Sequence, residues 1–263
     1  MNPERHAAPA EVCLLDVFPR LAGELEPDEV ERARGDLTVR VERIPGGPWS
    51  PPREWLAGHG SELGLFVIDG LLARAVEVAD TTATELLGRG DLLRPADHEG
   101  EQAPVPFAVT WTVLEPAAIA ILDSDLTEAI CRWPRLVVTM VSAAVRRSFS
   151  LTHLLALSHL RRVDTRLLVA LWHLADRWGS VHPEGVVVPI RLTHEMLGHV
   201  IGAQRPSVTT ALGQLESAGR ISRRPGGGWI LHGEPPAELG ELEGEAAGGP
   251  APGRGRRPEK QRQ

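Results

Sequence analysis

The sequence predicts an α+β chain: a roll of short strands first, one long helix next, and two short helices closed by a hairpin last. Three observations predict it. Short runs of apolar and β-branched residues recur between turn residues from Leu37 to about Leu122. An apolar repeat at every third or fourth residue then runs from Val137 to Ser158. Finally, Thr193 to Ser222 sets two short helical patterns around a glycine and ends on a strand.

The elements follow in order. Residues 14–35 read as a short helical entry, with Leu14, Leu15, Val17, Phe18 and Leu21 before Pro27. Leu37 to Ile44 alternates apolar and polar residues, as a half-buried strand does. Leu65 to Ile68 is a second strand, and Asp69-Gly70 after it is a turn pair. Leu71 to Val78, Glu85 to Leu87, Phe107 to Leu114 and Ala117 to Leu122 continue the series. Strands this short and this evenly spaced predict a small barrel or roll.

Asp123 to Cys131 begins a helical region, and Trp133-Pro134 marks a fresh helix start, since proline is tolerated in a first turn. Val137, Val141, Ala144, Ser148, Leu151 and Leu155 then share one face. A helix this long and apolar needs a cover, and the spacing predicts a dimer seam. Arg161 to Asp164 reads as a hinge. Thr165 to Trp178 is the next helix, with Leu167, Leu168, Leu171, Trp172 and Leu174 inward.

Thr193 is suited to cap the helix that follows, because its hydroxyl can accept from a first-turn N–H. Met196, Leu197, Val200 and Ile201 form one apolar face, and Gly202 permits the positive φ of a sharp turn. Pro206 sits near the start of the second helix, whose core positions are Val208, Leu212 and Leu215. Arg205, Ser207, Thr209, Thr210 and Gln214 are left exposed. Ile221-Ser222, then Arg223 to Gly228, then Trp229 to Leu231 read as a strand, a turn and a returning strand. This is a helix-turn-helix with a wing, which places one helix end in a DNA major groove. Arg205 suits a guanine edge or a phosphate, the small hydroxyls allow close approach, and Arg223 and Arg224 suit phosphates.

Charge agrees with that polarity. The net formal charge is −7, but residues 1–132 carry −13 and residues 133–233 carry +7. One half is thus suited to a polyanion and the other is not. Residues 234–263 are rich in Pro, Gly and Glu and end basic, a composition that cannot bury enough apolar surface to fold. Cys13 and Cys131 give no disulfide framework. The N-terminus has no apolar signal segment and no run reaches membrane length, so a cytoplasmic location is expected.

With those residues in view, the chain resembles the cyclic-AMP receptor / fumarate–nitrate regulator (Crp/Fnr) family of transcription factors from roughly Leu14 to Leu231. The resemblance rests on Leu192-Thr193, Gly198, Val200-Ile201-Gly202, Arg205 to Thr209 and Leu215-Glu216-x-x-Gly219-x-Ile221, and in the roll on Asp69-Gly70 and Gly88 to Leu93. It implies a cyclic-nucleotide-binding-like β-roll over 1–132, a dimerisation helix and hinge over 133–162, a winged helix-turn-helix over 163–233 and a disordered tail over 234–263. It further implies a homodimer on an inverted-repeat DNA site, with RNA polymerase as a further partner and an effector at the roll. The family's base-reading positions fall on Arg205, Pro206 and Thr210, with His194 near the DNA backbone. The full expected DNA-binding set is His194, Gln204, Arg205, Pro206, Ser207, Thr209, Thr210, Arg223 and Arg224. Two positions depart from the family pattern: Pro206 replaces a hydrogen-bonding residue, and Thr210 replaces a second arginine.

The cyclic-nucleotide cassette is out of place. Ser61 to Phe66 has its letters, but the family's cassette follows the Gly-Asp pair, here Gly90-Asp91. Arg94 to Glu101 stands there instead, and Asp97, Glu99 and Glu101 would repel a phosphate. Cyclic AMP is therefore not expected to bind, and no cofactor is predicted. A reshaped pocket and a purely structural roll both remain open. His194, Glu195 and His199 do not make a zinc site, because histidines five apart lie roughly 140° apart around a helix. No metal site, catalytic triad or phosphate loop is found, so no enzyme is expected. Two other readings stay open: a ligand- or protein-binding module with little specific DNA affinity, and a sequence-independent architectural DNA binder.

Overall fold

The computed structural model describes residues 10–52, 55, 62–94 and 104–236. The cassette-like Ser61, the segment 95–103 and the tail beyond 236 lie outside them.

The first half is an antiparallel sheet that curls into a roll. β1 (Ala10–Cys13) pairs with β2 (Thr38–Ile44), and β2 pairs with β7 (Ala108–Leu122). β4 (Gly64–Val78) lies between β7 and β5 (Thr81–Gly88). Short strands β3 (Gly47–Trp49) and β6 (Leu92–Leu93) add to β7 and β4. The path β1-β2-β7-β4-β5 keeps two edges, so the sheet is an open roll and not a closed barrel. The helical entry is three pieces, α1 (Leu14–Val17), α2 (Pro19–Ala22) and α3 (Pro27–Asp36), because Pro19 and Pro27 each restart the chain.

One expectation fails instructively. Asp69-Gly70 is not a turn: β4 runs straight through it, and so does β7 through Pro116. Its register against β7 shifts at Asp69 and Leu71. Gly70 adopts φ +90°, and a Cβ there would sit 2.5 Å from both Pro116 O and Ala117 Cα. A proline lacks the ladder N–H, so the glycine and the proline meet in a bulge. The real turn is at Ala79 and Asp80, where Ala79 takes φ +55°.

Period-2 alternation assigns the faces of β4. Leu65 and Val67 point into the roll with Ile44, Leu72, Leu87, Val113 and Ile119. Trp111 closes that interior, with Trp49 edge-on at 5.9 Å. Phe66 and Ile68 point the other way, into a core with Leu14, Leu15, Leu21, Leu37 and Ile130. Asp123 caps α4 (Ser124–Cys131), accepting from Leu126 N at 3.0 Å.

α5 (Pro134–Ser158) starts at Pro134 and is a single 25-residue helix. Leu136 and Met140 bury against the roll, while Val138, Val141, Val145, Phe149 and Leu155 stay 48–73% exposed. The exposed stripe therefore keeps Val141, Ala144, Ser148 and Leu155 of the expected seam but adds Val138, Val145 and Phe149. Val137 and Leu151 turn partly inward. A loop through Arg161 leads to α6 (Val163–Trp178), in which Leu167, Leu168, Leu171 and Leu174 are buried and Trp172 is half-buried.

The two halves share a core. Leu71, Ala73 and Leu86 of the roll pack with Leu167, Leu171, Leu197 and Ile201 of the C-terminal half. Around that seam, Arg147 holds Glu85 through Nε (2.6 Å) and Nη2 (2.9 Å), and Arg74 reaches the same carboxylate at 2.8 Å.

Candidate nucleic-acid interface

β8 (Ser180–His182) and β9 (Gly185–Val188) precede the helix-turn-helix. The sequence reading passed over them, although the run Val186 to Val188 after Gly185 is a strand signal. β9 pairs with β11 (Trp229–Leu231), and β11 with β10 (Ile221–Arg223), so the wing is part of a four-stranded sheet.

α7 (His194–Ile201) begins at Thr193, whose Oγ1 accepts from Met196 N at 3.1 Å. It ends at Gly202 in the left-handed region, φ 65° and ψ 47°. Gly198 makes the corner tight, since a Cβ there would stand 2.3 Å from Ala203 O. Arg166 donates from Nη1 to Gly202 O at 3.0 Å, closing the turn from α6. α8 (Arg205–Ser217) buries Val208, Ala211, Leu212 and Leu215. Its opposite face leaves Gln204, Arg205, Pro206, Ser207, Thr209, Thr210 and Gln214 exposed.

Not all of these side chains are idle. Thr209 Oγ1 donates to Arg205 O at 3.0 Å, and Thr210 Oγ1 donates to Pro206 O at 3.2 Å. Both hydroxyl protons are spent on the helix, so these residues turn methyl groups and oxygen lone pairs outward. His194 Nδ1 lies 2.8 Å from Thr209 Oγ1. Because the threonine proton is used, Nδ1 carries the hydrogen and Nε2 is left as an acceptor. Arg223 Nη2 stands 3.4 Å from that Nε2, and Arg223 Nε donates to Glu216 Oε1 at 3.1 Å. His194 and Glu216 thus fasten the wing's Arg223 to both helices.

Arg223 is the last residue of β10, opposite Trp229, so it sits at the base of the wing. Arg224 opens the tip and donates its N–H to Gly228 O at 3.2 Å. Gly226, Gly227 and Gly228 all take positive φ. A side chain at Gly227 would collide with Arg191, 2.7 Å away. Arg191, exposed in the segment before α7, therefore lies over the wing. Sequence reasoning missed it because thirty-odd residues and two helices separate it from the wing tip.

Along α5, Val137, Val141, Ala144 and Ser148 line an apolar groove of about 350 Å³ with Val145, Leu63 and Leu92. Leu151 is half-buried and Leu155 exposed further along the same helix. Among the described residues no group of three or more His, Cys, Asp or Glu could hold a metal ion. Among them, too, no helix is long and apolar enough to cross a membrane.

These features define a class: a transcription regulator that carries a winged helix-turn-helix behind a cyclic-nucleotide-binding-like roll. Residues 165–234 match the Crp-like helix-turn-helix domain. Over that domain the chain is similar to regulators of the Crp/Fnr type. It is 25% identical over 213 residues to the global nitrogen regulator of Synechocystis sp., covering 80% of this chain and 87% of that one. It is 34% identical over 74 residues to the regulatory protein CysR of Synechococcus elongatus, covering 27% and 36%. A cyclic nucleotide-binding domain containing protein from Listeria monocytogenes has the same fold, with a TM-score of 0.58, 15% identity and coverage of 83% and 97%. So does a CooA mutant from Carboxydothermus hydrogenoformans, with a TM-score of 0.56, 17% identity and coverage of 92% and 98%.

Proposed function

We propose that the protein acts as a homodimer on an inverted-repeat DNA site, with α8 of each copy in the major groove. The observation that carries this is the N-terminal end of α8, where Gln204, Arg205, Pro206 and Ser207 are all exposed in succession. Arg205 reads a base edge, and Pro206 with the methyls of Thr209 and Thr210 gives apolar contacts to thymine. Arg223 and Arg224 meet the phosphates, and His194 lies beside Arg223 near the DNA backbone. The acidic roll stays off the duplex.

Dimerisation runs through α5, on Val137, Val141, Ala144, Ser148, Leu151 and Leu155, joined by the exposed Val138, Val145 and Phe149. Residues 1–132 then serve as sensor, 133–162 as seam and hinge, and 163–233 as reader. RNA polymerase is the further partner, the cytoplasm the place of action, and the protein is not an enzyme. Control by an effector requires a ligand with different affinity for two orientations of the reader.

Selection of duplexes from a random pool with the full chain tests the reading. An enriched palindrome with half-centres one helical turn apart is expected. Arg205→Ala is expected to cost about 1–3 kcal/mol on the selected site. A pool that stays random, or an unchanged affinity, overturns it.

A further inference from the structure

A second groove, of about 1200 Å³, opens between the roll, α5 and α6. It is not the interior of the roll. Phe66 lines it, whereas its neighbours Leu65 and Val67 fill the interior from the opposite face of β4. Its walls come from five places: Phe18 with the α2 segment, β4 at Phe66, the Arg89–Asp91 turn, α5 and α6.

The groove gathers guanidinium groups. Arg147 and Arg177 are matched by the buried carboxylates of Glu85 and Asp91. Arg20, Arg89 and Arg146 also line it, exposed, and have no ion pair among the described residues. The remaining carboxylates on its surface are Glu24 and Asp176, so positive charge is in excess. Aromatic rings stand beside these arginines. Arg89 lies 5.8 Å over Phe18. Trp172 is in the same wall, and its Nε1 is buried with no acceptor. Unpaired guanidinium groups bind carboxylate or phosphate in a fork, and flat apolar walls hold a ring.

We infer that this groove binds a small planar aromatic anion, held by Arg20, Arg89 and Arg146 and stacked among Phe18 and Trp172. Carboxylate and phosphate share this chemistry, and the test separates them. A ligand there touches the roll through Arg89 and the reader domain through Trp172, so it bridges the two halves of one chain.

Titration calorimetry on the full chain uses three probes: 2-hydroxybenzoate, guanosine 5′-monophosphate and inorganic phosphate. Saturable binding of at least one aromatic probe is expected, with a Kd below about 1 mM. Phosphate alone is expected to bind at least tenfold more weakly. Arg89→Ala and Arg146→Ala are each expected to weaken the aromatic probe about tenfold, and Arg191→Ala, in the segment before α7, is expected to leave it unchanged. Far-ultraviolet circular dichroism and DNA binding confirm that each variant is folded. The inference is overturned if neither aromatic probe saturates, if phosphate alone binds as well, or if both groove variants bind like the parent. None of these outcomes touches the DNA-binding reading, which is measured separately.

Discussion

Asp91 of the roll and Arg177 of α6 form a 2.6 Å ion pair across the boundary between the two halves of the chain. The same Asp91 oxygen accepts from Gly88 N at 2.8 Å, so the pair is tied to the turn that carries it. Beside it, a Cβ built on Gly88 would stand 2.6 Å from Trp178 Nε1. Arg177 in turn lies 4.3 Å over the Trp178 ring. A tight turn of the roll therefore fixes where the C-terminal end of α6 lies.

Removing one partner strands the other. Asp91→Ala leaves Arg177 partly buried without its carboxylate and opens the Gly88 turn. A loss of about 3 kcal/mol in unfolding free energy is expected. Gly88→Ala is expected to cost about 1–3 kcal/mol by overpacking against Trp178. Urea unfolding followed by tryptophan fluorescence checks both, and unchanged midpoints would contradict the role given to this contact.

Arg223 is held by Glu216 at 3.1 Å in the free protein. DNA must compete for it. Glu216→Gln removes that charge and releases the arginine toward phosphate. Tighter binding to every duplex is expected, with the salt slope steeper by about one unit. Fluorescence anisotropy across a salt series measures this. A slope that does not change would show that Arg223 makes no phosphate contact.

Val141 and Val145 are 57% and 48% exposed on one stripe of α5. A glutamate at either place puts a charge where a second helix is expected to seat. Val141→Glu and Val145→Glu are expected to give monomers by sedimentation and to lose preference for the palindrome over a half-site. Because both side chains are solvent-facing within the single chain, the monomer should remain folded.

Burial pushes the His173 imidazole down to about 4, assisted by His153, which stacks on it at 4.9 Å, and by Arg177. The folded chain therefore stays unprotonated here at pH values where the unfolded chain takes a proton. Stability from this site is complete above about pH 6.5 and falls as pH drops from there toward 4. The site's share is on the order of 1–2 kcal/mol once solvent around the ring is allowed for. Urea midpoints at pH 7 and pH 4.5, compared between the parent and His173→Gln, isolate that share. An identical pH dependence in the two proteins would refute it.

Much of this was legible in one dimension because the signals are local. The cap at Thr193, the left-handed Gly202, the apolar faces of α7 and α8 and the glycine-rich wing each depend on residues within a few positions of one another. The restart of the chain at Pro134 and the length of α5 were readable for the same reason. Asp69-Gly70 misled, since a pair that favours a turn in isolation is equally at home in a bulge. Only Pro116, far along the chain and lacking an N–H, decides between them.

The order of elements and the chemistry of the reader helix were written in the chain itself, through propensity and period. Tertiary structure alone decided the pairings made across large sequence separations. Arg177 found Asp91, Arg191 came to lie over Gly227, and Arg223 came to stand beside His194. Such contacts depend on distance in space and on which donors are already spent, and neither quantity is encoded by any short stretch of residues.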